Sequence, residues 1–105
     1  MTRAIALALL FSAAGAALAG ETREAILEGN ALYEAARYAE AAEKYQAAVK
    51  LDPLDAAAHY DLGNARYREG SLGRAIASYQ RAFDLSPRDA DIRYNLDLAL
   101  KRAGE

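Results

Sequence analysis

Residues 62–87, LGNARYREGSLGRAIASYQRAFDLSP, read as two helices about one short turn, yet Gly63 lies inside the first of them. A glycine in a helix interior costs about 1 kcal/mol against alanine, so its presence needs a reason. EGNALYEA, residues 28–35, repeats the anomaly at Gly29. Sliding the chain against itself by about 34 residues pairs Gly29 with Gly63, Asn30 with Asn64, Tyr33 with Tyr67 and Ala41 with Ala75. The same offset pairs Tyr45 with Tyr79, Gln46 with Gln80, Ala48 with Ala82, Leu51 with Leu85 and Pro53 with Pro87. Alanine matches are cheap in this chain; the glycine, asparagine, tyrosine, glutamine and proline matches are not. A third copy opens at Ala90, with Tyr94 answering Tyr60 and Leu96 answering Leu62, and the chain ends partway through it.

Each full copy predicts two helices: 22–35 and 38–51 in repeat one (22–55), 56–69 and 72–85 in repeat two (56–89). Asp55 and Asp89 stand where they cap the next helix, and Pro53 and Pro87 where the preceding one stops. Gly70 suits a left-handed helix end and Ser71 a cap, whereas the first copy has Ala36 and Arg37 there and a less comfortable turn. Two helices joined by so short a connection are pressed together. The glycines therefore predict close backbone approach, Gly63 against Ala75 and Gly29 against Ala41, with Tyr45, Tyr79, Leu51 and Leu85 filling the wider gaps.

This pattern resembles the tetratricopeptide repeat, carried here by Leu62, Gly63, Gly70, Ala75, Tyr79, Ala82 and Pro87. The match is weaker in the first copy, where Glu28 and Ala36 replace the usual leucine and glycine. The resemblance implies an all-α superhelix: two helix-turn-helix repeats and a C-terminal capping helix, with a concave face that binds extended or helical peptides. More narrowly, residues 62–100 look like the periplasmic repeat segment of BatE-type proteins of the Bacteroides aerotolerance operons. Members of that group often continue into transmembrane helices and an SH3-like domain, so this chain is expected to be a stand-alone or truncated relative.

The start, MTRAIALALLFSAAGAALAGE, has a basic residue at Arg3, an apolar run from Ala4 to Ala19 and small residues before Gly20. It reads as a signal peptide, residues 1–19, cut after Ala19 to leave a repeat domain of residues 20–105 in the periplasm. The rival reading, an uncleaved anchor, is weakened by an alanine-rich run shorter than the ~20 apolar residues of a span. The 105 residues carry a formal net charge of −2, one unit more negative once Arg3 is removed. That balance argues against a nucleic-acid partner, which calls for a concentrated basic surface. No cysteine is present, so disulfides, thiolate chemistry and sulfur-ligated metal are excluded.

The capping helix, 90–103, has an inward stripe of Ile92, Leu96, Ala99 and Leu100, with Asp91, Asp97, Lys101 and Arg102 facing water and Gly104 ending it. Asp97 replaces the repeat glycine, so no companion helix is expected there. The N-terminal edge has no such cap, which leaves homodimerisation as an alternative. Arg66 stands out in the series Leu32, Arg66, Leu100; its stem is expected between helices and its head near water or Asp97.

Chemistry is sparse. His59 has no second ligand at metal spacing and reads as a packing residue. No serine has a paired base, and every glycine is isolated, so phosphate loops are absent. Neither catalysis nor a cofactor nor a metal is expected. What remains is a surface: Tyr60, Asn64 and Tyr67 share one helical stripe, about 200° around the helix from the Leu62 side. Ile26, Asn30 and Tyr33, then Tyr94, Leu98 and Lys101, are its equivalents. By the resemblance, Asn30, Tyr33, Tyr60, Asn64, Tyr67 and Tyr94 are the candidate partner-binding residues, tyrosine giving apolar area and asparagine pairing with peptide backbone. Tyr33 and Tyr67 packing between repeats is the competing reading. Ile26, Tyr60 and Asp61 stand where the basic residues of chaperone-tail clamps would be sought, which disfavours a C-terminal carboxylate ligand. The sequence thus points to a non-enzymatic adaptor of the cell envelope, with self-association into a homo-oligomer as the alternative.

Overall fold

The computed structural model describes the backbone of residues 2–105 and the side chains of residues 15–105. Five helices follow in order: α1 (Thr2–Glu34), α2 (Tyr38–Leu51), α3 (Ala56–Glu69), α4 (Leu72–Leu85) and α5 (Ala90–Ala103). Each packs on the next, so α1/α2 and α3/α4 are hairpins and α5 closes the stack against α4. The two hairpins and fifth helix are those expected from the repeat.

The first helix differs from its expected start at residue 22. α1 is continuous for 33 residues and passes through the expected cut after Ala19. Nothing in this alanine-rich run interrupts a helix, and Thr22 does not cap one; its Oγ1 donates to the Leu18 carbonyl at 2.9 Å, one turn back. The side chains of Arg3 and most of the apolar run fall outside the described residues. Among the described residues no helix is long and apolar enough to cross a membrane.

The turns repeat atom for atom. In repeat two the Gly70 N–H donates to the Tyr67 carbonyl and the Ser71 N–H to that of Arg66. In repeat one Ala36 donates to Tyr33 and Arg37 to Leu32. This is a Schellman closure with a left-handed residue: Gly70 has φ 92° and Ala36, with a Cβ, has φ 60°. The uncomfortable first turn is therefore present and is held by the same two bonds. Asp55 caps α3 through the Ala58 N–H at 3.2 Å, and Asp89 caps α5 through Asp91 and Ile92 at 3.0 and 3.1 Å. Ser71 makes no side-chain cap, contrary to expectation, because the Schellman turn commits its backbone while its hydroxyl reaches no α4 N–H.

The atoms that a Cβ on either glycine would meet first belong to tyrosines. A Cβ on Gly63 would stand 2.5 Å from the Tyr79 ring, and one on Gly29 2.6 Å from the Tyr45 ring. Both rings are buried. The ring of each second-helix tyrosine fills a notch in the first helix, so Tyr45 and Tyr79 occupy the close approach itself rather than wider gaps beside it. Ala41 and Ala75 are fully buried in the same core clusters as these tyrosines. Leu85 and Leu100 are exposed, against expectation, because the structure lays no further helix over them.

The core is split along the stack. One cluster joins α2 and α3 through Tyr45, Val49, Ala58 and Leu62; the other joins α4 and α5 through Ala75, Tyr79, Leu96 and Ala99. His59 is buried and its Nε2 donates to the Pro53 carbonyl at 2.8 Å, a link between the helix and the turn before it.

Candidate functional site

The notch that receives each tyrosine also positions an amide. Tyr45 Oη donates to Asn30 Oδ1 and Tyr79 Oη to Asn64 Oδ1, both at 2.6 Å. In each copy, glycine leaves room for the ring and the next residue accepts its hydroxyl. Burial pushes both tyrosine pKa values well above the ordinary range, so these hydroxyls stay donors. The asparagines are thereby held by one oxygen, Asn30 exposed and Asn64 half-buried beside Tyr60.

α5 lies beside α3 on the same face. Asn95 Nδ2 donates to Tyr60 Oη at 2.8 Å and to Asn64 Oδ1 at 3.0 Å. Tyr60 leans toward Tyr79, with ring centroids 6.0 Å apart, and burial raises its pKa. Tyr60 and Tyr67 pack against the second core cluster and Tyr33 against the first. The stripe is therefore half-buried between repeats rather than turned wholly away from the core. Asn95 of α5 and Tyr79 of α4 tie Tyr60 and Asn64 down, and Tyr33 and Tyr67 pack on the cores.

Tyr33, Asn64 and Tyr67 come together with Arg68, Asn95 and Leu98 around a cleft of about 170 Å³. Asn30 is exposed on α1 outside it, Tyr60 lies behind it under Asn95, and Tyr94 stands 67% exposed on α5. Two arginines complete the face. The Arg68 guanidinium carbon lies 5.9 Å from the Tyr33 ring centroid and 4.6 Å from that of Tyr38, and Arg102 lies 5.2 Å from Tyr67. Tyr33 and Tyr38 meet edge to face at 5.2 Å.

Sequence reasoning missed Arg68, which lines the cleft, and Arg102 beside it, although the repeat contained the signal. They are separated by the same offset as Tyr33 and Tyr67, so each arginine stacks on the tyrosine one repeat before it. Asn95 had no such signal, since its counterparts are Asp61 and Leu27.

Contrary to expectation, Arg66 does not pair with Asp97. Its Nη2 donates to Gln46 Oε1 on α2 at 2.7 Å, because Arg66 faces the cleft between α2 and α4, while Asp97 is exposed on α5. Among the described residues, no group of three histidine or acidic side chains is placed to hold a metal ion.

Residues 26–90 match the model of the tetratricopeptide repeat family. Among solved structures the chain is similar to MamA, at 29% identity over 81% of this chain and 50% of that one, with a TM-score of 0.77. It is also similar to the TPR2AB domain of yeast Sti1 in complex with pHSP90, at 23% identity over 93% and 39% of the two chains, with a TM-score of 0.78. The first TPR of Spaghetti (RPAP3), bound to the HSP90 peptide SRMEEVD, aligns at 17% identity over 82% and 95%, with a TM-score of 0.54. The last two likenesses are of fold alone. The chain spans 50% and 39% of the first two structures. No curated protein sequence matches it.

Proposed function

The chain belongs to the tetratricopeptide repeat family, and on that premise we propose that it is a non-enzymatic adaptor of the bacterial cell envelope that holds a peptide segment of a partner protein on its α1/α3/α5 face. The observation that carries this reading is the cleft where Tyr33, Asn64 and Tyr67 meet Arg68 and Leu98. Tyrosine rings backed by arginines offer rigid apolar area at little entropic cost, and the half-buried Asn64 adds an amide beside them. Neighbours of the same fold, Sti1 and RPAP3, are described in complex with HSP90 ligands, which supports peptide binding as the use of such a surface. The envelope location is supported by the export-type N-terminus and the likeness to the BatE-type segment.

Affinity capture from a periplasmic extract, with the full chain as bait, tests the reading. Leu98→Asp is the informative variant, because Leu98 lines the cleft from a partly exposed position and its loss opens no core. Capture should fall about tenfold with helicity and melting unchanged. Undiminished capture by Leu98→Asp would remove the cleft from the function.

Self-association is the second reading, favoured by exposed Leu18 and Leu27 on α1 and exposed Leu98 and Leu100 on α5 at the two ends of the stack. Sedimentation at micromolar concentration separates the two; a strict monomer eliminates the oligomer.

A further inference from the structure

Arg66 carries charge at a position where the other copies have leucine, and it is only 7% exposed. Gln46 takes one of its N–H groups through Nη2. Its Nε has no acceptor, and among the described residues it is the buried side-chain nitrogen or oxygen so placed. The ion pairs among those residues are Arg37–Glu40 and Lys44–Glu28, so no carboxylate answers Arg66. Burial, and then the nearby Arg74, lowers its pKa, and the Glu69 carboxylate, which forms no ion pair with it, only partly opposes them. A buried guanidinium is ordinarily retained with a carboxylate and full hydrogen bonding. Among the described residues no carboxylate pairs with it and its Nε–H is left without an acceptor.

The same side chain lines an open cleft of about 640 Å³ between α2 and α4, floored by α3, on the opposite side of the stack from the tyrosine face. Lys50, Arg74 and Arg81 line its walls, and Asp84 is the one acidic residue among its lining. Gln80 already donates to Asp84 Oδ1 at 2.9 Å. Leu54, 78% exposed, and Leu85, 38% exposed, add apolar surface beside this positive charge. The cavity is in the size range of ligand sites, about 300–1,000 Å³.

We propose that this cleft is a second binding site, which takes an acidic side chain of a partner's extended peptide, its carboxylate accepting from Arg66 and apolar neighbours resting on Leu54 and Leu85. A peptide is favoured over a free inorganic anion because only a ligand with apolar groups next to its charge uses both kinds of surface. The site is independent of the tyrosine face, and together they let one small stack hold two segments at once.

Panning a display library of short random peptides against the full chain carrying Leu98→Asp, which disables the other face, tests the proposal. Enriched peptides should carry aspartate or glutamate beside apolar residues. By fluorescence anisotropy they should bind Arg66→Leu and Arg74→Glu about tenfold or more weakly. Arg66→Leu is expected to fold, since leucine stands at the equivalent positions 32 and 100, and Arg74→Glu alters an exposed residue. The Arg66 Nε–H resonance should shift on peptide addition. Failure to enrich any peptide, enrichment without acidic residues, or unchanged affinity in both variants would each overturn the proposal. So would inorganic phosphate saturating the Arg66 resonance and displacing the peptides, which would make the cleft a small-anion site.

Discussion

At the scale of single residues, the glycine and tyrosine form one device. A methyl group at position 63 meets a buried, wedged ring rather than the free end of a flexible chain, so the ring must leave its notch. Gly63→Ala should therefore lose up to about 2 kcal/mol, an overpacking cost of about 1–3 kcal/mol set against about 1 kcal/mol of gained helix propensity. The urea midpoint checks this; a rise would mean the helix term wins and the notch is slack. Asp61 makes a second residue-scale case. Burial, with Asp55 adding to it, pushes its carboxyl up to about 6 from the ordinary 3.8. A carboxyl with a raised folded pKa binds protons more tightly folded than unfolded, so stability is lowest above pH 6 and rises as pH falls from there toward about 4. The full shift corresponds to about 3 kcal/mol, which the residue's partial exposure reduces to about 1 kcal/mol. Asp61→Asn should raise the melting temperature at pH 7.5 and flatten its rise on acidification; an unaltered pH profile would exonerate Asp61.

At the scale of elements, the two hairpin turns share one hydrogen-bond scheme with different residues at the left-handed position. An L-residue there costs about 1–2 kcal/mol. Ala36 is exposed, so its methyl contributes no core contact to offset that cost. Ala36→Gly should stabilise the chain by about 1 kcal/mol, read as a higher urea midpoint at unchanged slope. The caps provide the contrast: Asp55→Ala should cost about 1 kcal/mol, whereas Ser71→Ala should stay within about 0.5 kcal/mol. Equal losses in those two variants would contradict the cap assignments.

At the scale of the whole molecule, each helix touches mainly the next, so stability is a chain of neighbour terms rather than one shared core. Hydrogen exchange should show it. Gly29→Ala should speed amide exchange in α1 and α2 while leaving α5 near the parent rate, and a uniform acceleration would mean that the stack unfolds only as a unit. The sequence alone determined the periodic part: two copies, their helices apart from the start of the first, their turns, the Asp55 and Asp89 caps, the strained Ala36 turn and the repeat-family architecture. These depend on spacing, capping and backbone sterics, which are local and recur when the residues recur. Tertiary structure alone decided which side chain fills each glycine notch, since Ala75 and Tyr79 lie one turn apart on α4 and only the distance between helices selects the ring. It also decided that Asn95 pulls Tyr60 and Asn64 inward and that Arg66 looks toward Gln46 rather than Asp97. Those contacts cross between helices, where orientation follows from how the rods stack and leaves no mark in residue spacing.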